Sequence, residues 1–128
     1  AGTRKQFGAP IGDYQMVQKL IADSAIEIYA TRSMVLDCAR DIDLGLDPRE
    51  KVSMIKVHAS EMLGRVADRG IQVFGGYGFS KDLPLERIYR DARVTRIYDG
   101  TSEIHRMLIA RSVIKNGLAL SSVEGGRS

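Results

Sequence analysis

The sequence is poor in the residues that build disulfide and metal frameworks. Its 128 residues include one cysteine, two histidines and no tryptophan. Cys38 therefore cannot form an intrachain disulfide, and its helical surroundings indicate a small apolar residue in a reducing compartment. His58 and His105 lie far apart, and neither has a second ligand beside it at metal-binding spacing. We expect no metal site.

Long apolar runs and a strong charge bias are also missing. No run approaches the roughly 20 residues that span a bilayer, and residues 1–10 lack the apolar core of a signal peptide. The net charge is only +3, and the basic residues are dispersed without a Lys/Arg block or interleaved aromatic residues. We therefore expect a globular protein with no membrane span and no nucleic-acid partner.

Turn-forming residues divide the chain into four predicted helices. Glycines and Pro10 make residues 1–12 an ordered arm, and Asp13 is placed to cap a first helix that ends near Gly45. Asp47, Pro48 and Glu50 have the spacing of an N-cap, an N1 proline and a capping box. They predict a second helix that runs to the glycines at 75, 76 and 78. The last two helices are predicted at 84–97 and from 101 or 102 to 116 or 117, and residues 121–128 are expected to fray.

Helices with short connections and no strand pattern predict an all-α fold, an up-and-down four-helix bundle that forms one domain over residues 1–128. A first helix of about 30 residues would be about 45 Å long, which is more than a compact globule of this size needs. Its wide apolar stripe therefore predicts that further domains or subunits pack on it. The chain is also small for an enzyme with a large cofactor, so we expect a fragment.

Two segments are candidates for chemistry. The run QVFGGYGF at 72–79 has three glycines but follows a helix and matches neither dinucleotide nor Walker spacing, so it is either a helix end with its loop or a close approach to a ligand. In RIYDGTSEIHR at 96–106, Asp99 stands just before a helix N-terminus, where negative charge is favoured. It could cap the helix, belong to an anion-binding turn, or serve as a general base.

Three segments together resemble the C-terminal helical domain of the acyl-CoA dehydrogenase flavoenzymes. They are RKQFGAPIGDYQ at 4–15, QVFGGYGFSKDLPLERIYRDAR at 72–93 and IYDGTSEIHRMLIAR at 97–111. The resemblance covers nearly the whole chain in the family's order. It implies FAD, an acyl-CoA substrate, an electron-transferring flavoprotein as acceptor, a role in fatty acid metabolism, and a homotetramer or homodimer of three-domain subunits in the bacterial cytoplasm or the mitochondrial matrix. It also implies that this domain alone is inactive.

The resemblance assigns most of the cofactor contacts to the FAD of a neighbouring subunit. Arg4 would lie near its phosphates and Phe7 near its adenosine half, while the glycine backbone at 75 and 76 would meet the pyrophosphate and ribose. The residues implied to bind this FAD are Arg4, Lys5, Gln6, Phe7, Tyr14, Gln15, Gln72, Val73, Phe74, Gly75 and Gly76.

The resemblance also implies a catalytic base. A carboxylate before Gly-Thr-Ser, here Asp99, would abstract the α-proton of the thioester while a hydride leaves the β-carbon. Gly100 would pass close to the acyl group, and Thr101, Ser102 and Glu103 would contact the FAD of their own subunit. The family's usual base is Glu, so the shorter Asp moves the carboxylate back by roughly 1.3 to 1.5 Å. A nitroalkane-oxidase-like flavoprotein, which uses Asp, and a non-catalytic helical assembly module are the alternatives.

Overall fold

The computed structural model describes residues 5–6, 9–98 and 100–118, and at Lys5 and Gln6 the backbone only. Arg4, Phe7, Asp99 and the predicted frayed tail at 121–128 lie outside the described residues. The fold is all-α, as the sequence predicts. Its helices are α1 (Gln15–Asp43), α2 (Arg49–Phe74), α3 (Gly76–Phe79), α4 (Leu85–Val94) and α5 (Ser102–Asn116).

The arm before α1 contains a small two-stranded sheet that the sequence did not predict. Strands β1 (Lys5–Gln6) and β2 (Ala9–Pro10) pair antiparallel, with Lys5 opposite Pro10 and Gln6 opposite Ala9. A 3₁₀ turn at Ile11–Asp13 follows and leads into α1. Ile11 is buried in this turn, and the turn contacts α1.

Helix α2 is the centre of the domain, since α1, α4 and α5 all pack against it. Ion pairs fix the antiparallel register of α1 and α2. Glu27 binds Arg65 and Arg69 in the C-terminal half of α2, and Lys51 near its N-terminus binds Asp37 and Asp41 in the last turns of α1. The start of α1 therefore lies at the same end of the bundle as the end of α2.

Several helix ends differ in detail from those that the sequence predicts. Asp13 does not cap α1. It lies inside the 3₁₀ turn, because the backbone N–H of Tyr14 donates to the Ile11 carbonyl, and Tyr14 takes the N-cap position. At α2, Asp47 Oδ1 accepts the Arg49 N–H at 3.1 Å. The capping box is absent, because Glu50 Oε2 accepts the Ser112 hydroxyl of α5 at 2.6 Å instead.

Helix α4, the third of the four predicted helices, ends at Val94, three residues earlier than predicted. The Thr95 hydroxyl donates to the Ala92 carbonyl at 2.6 Å, and the Thr95 N–H donates to the same oxygen. In a continuing α-helix the Thr95 N–H would instead donate to the carbonyl of residue 91. The two bonds to Ala92 therefore close a tighter turn at this point. The chain therefore leaves the helix before the segment that carries residue 99.

The described bundle leaves much apolar surface open. The apolar residues below a tenth of their surface exposed are Ile11, Cys38, Ala67 and Ala92. Along α1, four residues at a spacing of seven are each at least 39% exposed: Ile21, Ile28, Val35 and Ile42. The predicted stripe on α1 is thus present, and the described helices cover only part of it. In the described ranges, no helix combines the length and apolar character that crossing a bilayer requires.

Candidate functional site

Residues 95–101, which we call the α4–α5 turn, carry the position of Asp99. The backbone N–H of Ile97 donates to the Val94 carbonyl at 2.9 Å, and the Ser102 N–H returns to the Arg96 carbonyl at 3.2 Å. Gly100 has φ +88°, which a residue with a Cβ rarely adopts. Glycine is therefore required immediately after residue 99, and the turn is closed on both sides by backbone bonds.

The cap of α5 is Thr101. Its hydroxyl oxygen accepts the backbone N–H of Ile104 at 3.2 Å, and its backbone is extended, as an N-cap requires. Ser102 is 4% exposed and begins the helix, and Glu103 is an exposed acid in its first turn. Thr101 therefore holds the N-cap position, which residue 99 precedes by two positions in the sequence, so the cap of α5 does not require a carboxylate at 99.

Three polar side chains that the sequence analysis did not select surround this turn. Lys56 of α2 donates to the Thr95 carbonyl at 2.5 Å and lies 4.9 Å from the centre of the Tyr98 ring. Ser53, one turn earlier on α2, has its hydroxyl 3.3 Å from His105 Nδ1. The spacing of Ser53 and Lys56 places both on one helix face, but only the packing of α5 on α2 shows what that face meets.

The glycine-rich segment lies at the C-terminal end of α2. Gly75 ends the helix at φ +65°, and its N–H donates to the Ile71 carbonyl at 2.9 Å. A Cβ on Gly78 would lie 2.8 Å from Phe74 Cβ and 2.9 Å from the Ile71 oxygen, so packing excludes a side chain there. A Cβ on Gly76 would meet nothing within 4 Å. The predicted loop contains one helical turn, α3, and Gly76 is a glycine that the described packing does not require.

Two of the residues predicted to contact FAD, both at the start of α1, lie at this same end. Tyr14 is the half-buried N-cap of α1, and Gln15 is exposed in its first turn. Lys5 and Gln6 form β1, and Arg4 and Phe7 lie outside the described residues. In the glycine segment Gln72 and Phe74 are exposed, whereas Val73 is half-buried. The antiparallel register of α1 and α2 brings Tyr14 and Gln15 to the end of the bundle that carries residues 72–76.

The predicted site residues therefore form two separate groups. Lys56, which holds the α4–α5 turn, precedes Gly75 by 19 positions, and α2 spans that distance almost completely. At 1.5 Å per residue the two groups lie about 30 Å apart. The structure does not bring the two groups into one site. They can serve a single cofactor only if that cofactor is very long, and otherwise they serve two cofactors.

Other features offer little for catalysis. Cys38 is a buried free thiol. A search of the described part of the chain finds no group of three His, Cys, Asp or Glu side chains that could hold a metal ion. A cavity of about 620 Å³ between the start of α2 and the second half of α5 is lined by Glu50 and Ser112 among others. None of the predicted site residues lines it.

Comparison with known proteins identifies the class. Residues 1–114 match the C-terminal domain of acyl-CoA dehydrogenase, and the chain belongs to this family of oxidoreductases. Cyclohexane-1-carbonyl-CoA dehydrogenase of Geobacter metallireducens is 43% identical over 112 residues, which are 88% of this chain and 30% of that protein. The chain thus spans about a third of the length of its relatives.

Solved structures of related proteins have a similar fold. Butyryl-CoA dehydrogenase of Megasphaera elsdenii superposes with a TM-score of 0.85 and 34% identity over 88% of this chain and 30% of its own. The FAD complex of PigA superposes with a TM-score of 0.85 and 32% identity over the same shares. The helical arrangement described above is therefore similar to that of the matching third of these proteins.

Proposed function

We propose that this chain is the domain of an FAD-dependent acyl-CoA dehydrogenase that supplies the base, Asp99, for α,β-dehydrogenation of a CoA thioester. The observation that supports this most is the cap of α5. Thr101 already accepts the Ile104 N–H, so a carboxylate at 99 is not needed as the N-cap. An acid just before the helix N-terminus is therefore one that capping does not account for, which favours a chemical role.

The chain's own residues would do three things for this reaction. The N-terminus of α5 favours the ionised carboxylate, which must be deprotonated to accept a proton from carbon. Gly100, held at φ +88°, lets the backbone turn sharply next to the acyl group. Because a thioester α-proton is only weakly acidic, the turn must also aim the carboxylate at that proton.

The described residues fit a large dinucleotide at the glycine-rich end. Gly76 is exposed and has open space where a Cβ would point, and Gln72 and Phe74 are exposed beside it. These residues, with Tyr14, Gln15 and the arm at 4–7, would hold the FAD of a neighbouring subunit, while Thr101, Ser102 and Glu103 would contact their own. When bound, FAD would accept the hydride that leaves the β-carbon.

The separation of about 30 Å between the two groups supports a role in two FAD sites per subunit, and hence an oligomer. The exposed apolar residues of α1 provide surface for subunit contacts. An electron-transferring flavoprotein is the acceptor we propose. Because this domain supplies only part of each site, we expect it to be inactive by itself.

The experiment replaces Asp99 in the complete protein. Asp99→Asn keeps the shape but cannot accept a proton, so anaerobic reduction of FAD by an acyl-CoA substrate should slow by about 100- to 10,000-fold. Asp99→Glu keeps the charge and should retain substantial activity, with a changed preference for acyl length. Stopped-flow bleaching of the flavin measures both. Reduction of Asp99→Asn at nearly the wild-type rate would remove Asp99 from catalysis, and reduction by nitroalkanes alone would favour the nitroalkane-oxidase-like alternative.

A further inference from the structure

Two side chains of α2 link that helix to the α4–α5 turn on either side of residue 99 in the sequence, one directly and one through His105. Lys56 reaches the part of the turn before it, and Ser53 reaches the part after it through His105. Ser53 and Lys56 are three residues apart, so they lie on one face of α2, about one turn from each other. The turn is thus linked to α2 directly by Lys56 and indirectly by Ser53 through His105.

The contact before residue 99 is made by Lys56. Its ammonium donates to the Thr95 carbonyl at 2.5 Å, which fixes the point where the chain leaves α4. The same ammonium lies 4.9 Å from the centre of the Tyr98 ring, a distance at which a cation is attracted to an aromatic face. Tyr98 is the residue directly before Asp99, so Lys56 restrains the backbone up to the proposed base.

The contact after residue 99 is made by His105. A Cβ on Gly100 would lie 3.0 Å from His105 Nε2, so the imidazole occupies the space where any side chain at 100 would begin. The opposite nitrogen, Nδ1, is 3.3 Å from the Ser53 hydroxyl. The ring is therefore held between α2 and the Gly100 backbone, and it supports the residue directly after Asp99.

We propose that Lys56 and His105 are positioning residues for the carboxylate at 99, an inference that rests on the proposed function of Asp99 as the base. A base must meet its proton in one geometry, and a displacement of about 1 Å can cost about 100-fold in rate. An aspartate has one rotatable bond fewer than a glutamate with which to correct an error in the backbone. A turn that carries Asp must accordingly be fixed from both sides.

The test uses the complete enzyme and measures proton abstraction without hydride transfer. A CoA thioester with α-hydrogens and no β-hydrogen, such as 3,3-dimethylbutanoyl-CoA, cannot be dehydrogenated, yet a base will exchange its α-hydrogens with D₂O. We expect Lys56→Met and His105→Ala each to slow this exchange by roughly 10- to 100-fold while the KM for the thioester changes little. Lys19→Met is the matched control, because Lys19 is an exposed lysine of α1 paired with Asp23, far along the chain from the turn.

Conservative variants separate positioning from mere stability. Lys56→Arg keeps a cationic donor and should recover most of the exchange rate. In His105→Gln the amide nitrogen can reach the position of Nε2, whereas in His105→Asn it can reach only that of Nδ1. Gln should therefore recover more of the rate than Asn. Equal rates for these two variants, both as slow as His105→Ala, would contradict a supporting role beneath Gly100.

The Asp99→Asn background distinguishes the positioning role of Lys56 and His105 from the catalytic role of Asp99. If Lys56 and His105 act through Asp99, their replacement in Asp99→Asn should slow the residual exchange no further. If Asp99→Asn is slow but Lys56→Met and His105→Ala exchange at the wild-type rate, the positioning inference is wrong and the proposed function stands. If Asp99→Asn itself exchanges at nearly the wild-type rate, the proposed function fails and the inference fails with it.

Discussion

The ammonium of Lys51 lies 2.5 Å from the carboxylate of Asp41, whose side chain has no exposed surface. Lys51 is 11% exposed and also binds Asp37 at 2.5 Å, so one cation of α2 serves two acids of α1. Burial pushes the pKa of Lys51 down, but the hydrogen bonds to Asp37 and Asp41 outweigh it and raise the pKa. This cluster fixes the register of α1 on α2 at the end of the bundle that carries the α4–α5 turn.

Removal of the Lys51 charge should destabilise the protein strongly. Lys51→Met removes the cation that pairs with the buried Asp41, and breaking a buried pair from one side costs about 3 to 5 kcal/mol. Arg49→Met is the matched control, because Arg49 pairs with Asp47 on the surface, where an ion pair contributes little to stability. Thermal melting of both variants checks this. Equal melting temperatures would show that the buried cluster does not stabilise the domain.

The pairs of Glu27 should make part of the stability sensitive to acid. The hydrogen bond from Arg69, and then that from Arg65, lowers the pKa of Glu27 below its usual value despite partial burial. Its contribution is therefore complete above the usual Glu pKa and is lost as the pH falls through the lower pKa of the folded state.

Glu27→Gln removes this contribution. The melting temperature of the variant should fall below that of the wild type at neutral pH, and the two should converge as the pH drops below 4 or so. Asp91→Asn, at an exposed residue 3.9 Å from Arg87, should shift the melting temperature little at any pH. A gap between Glu27→Gln and wild type that persists undiminished at low pH would contradict the ion-pair account.

Gly76 and Gly78 should respond in opposite ways to alanine. Gly78→Ala forces a Cβ to 2.8 Å from Phe74 Cβ, and such overpacking costs about 1 to 3 kcal/mol. Gly76→Ala meets open space, so stability should be unchanged while FAD affinity falls. Melting curves together with FAD titration of the apoprotein measure both effects. Unchanged FAD affinity in Gly76→Ala would mean that no ligand approaches that position.

Arg4→Ala should weaken FAD retention more than turnover at saturating FAD. A charge-assisted hydrogen bond to phosphate contributes about 1.5 to 3 kcal/mol, or roughly ten- to a hundred-fold in affinity. Titration of the apoprotein with FAD measures this directly. Lys115→Ala, at a surface residue in the last turn of α5, serves as the charge control. Loss of FAD affinity in both variants alike would point to net charge and not to Arg4.

The sequence by itself determined where the long helices lie and what class of protein this is. Apolar periodicity and the breakers at Gly45, Pro48 and Gly117 are local signals, so they mark α1, α2 and α5 to within about two residues. The predicted helix ends that proved wrong were decided by competing local hydrogen bonds. Asp13 was taken into a 3₁₀ turn anchored by the buried Ile11, and the Thr95 hydroxyl ended α4 early. The family motifs pointed to Asp99 and the glycine segment as site residues but gave no information on which side chains surround them.

Only the tertiary structure decided which residues meet. Lys51 with Asp41 and Glu27 with Arg69 are 10 and 42 positions apart, and no local pattern states that they pair. The same holds for Lys56 and His105, which reach the α4–α5 turn because α4 and α5 both pack on α2. Helix propensity and capping act over a few residues, whereas these contacts depend on the register between helices, which side-chain packing and the ion pairs set together.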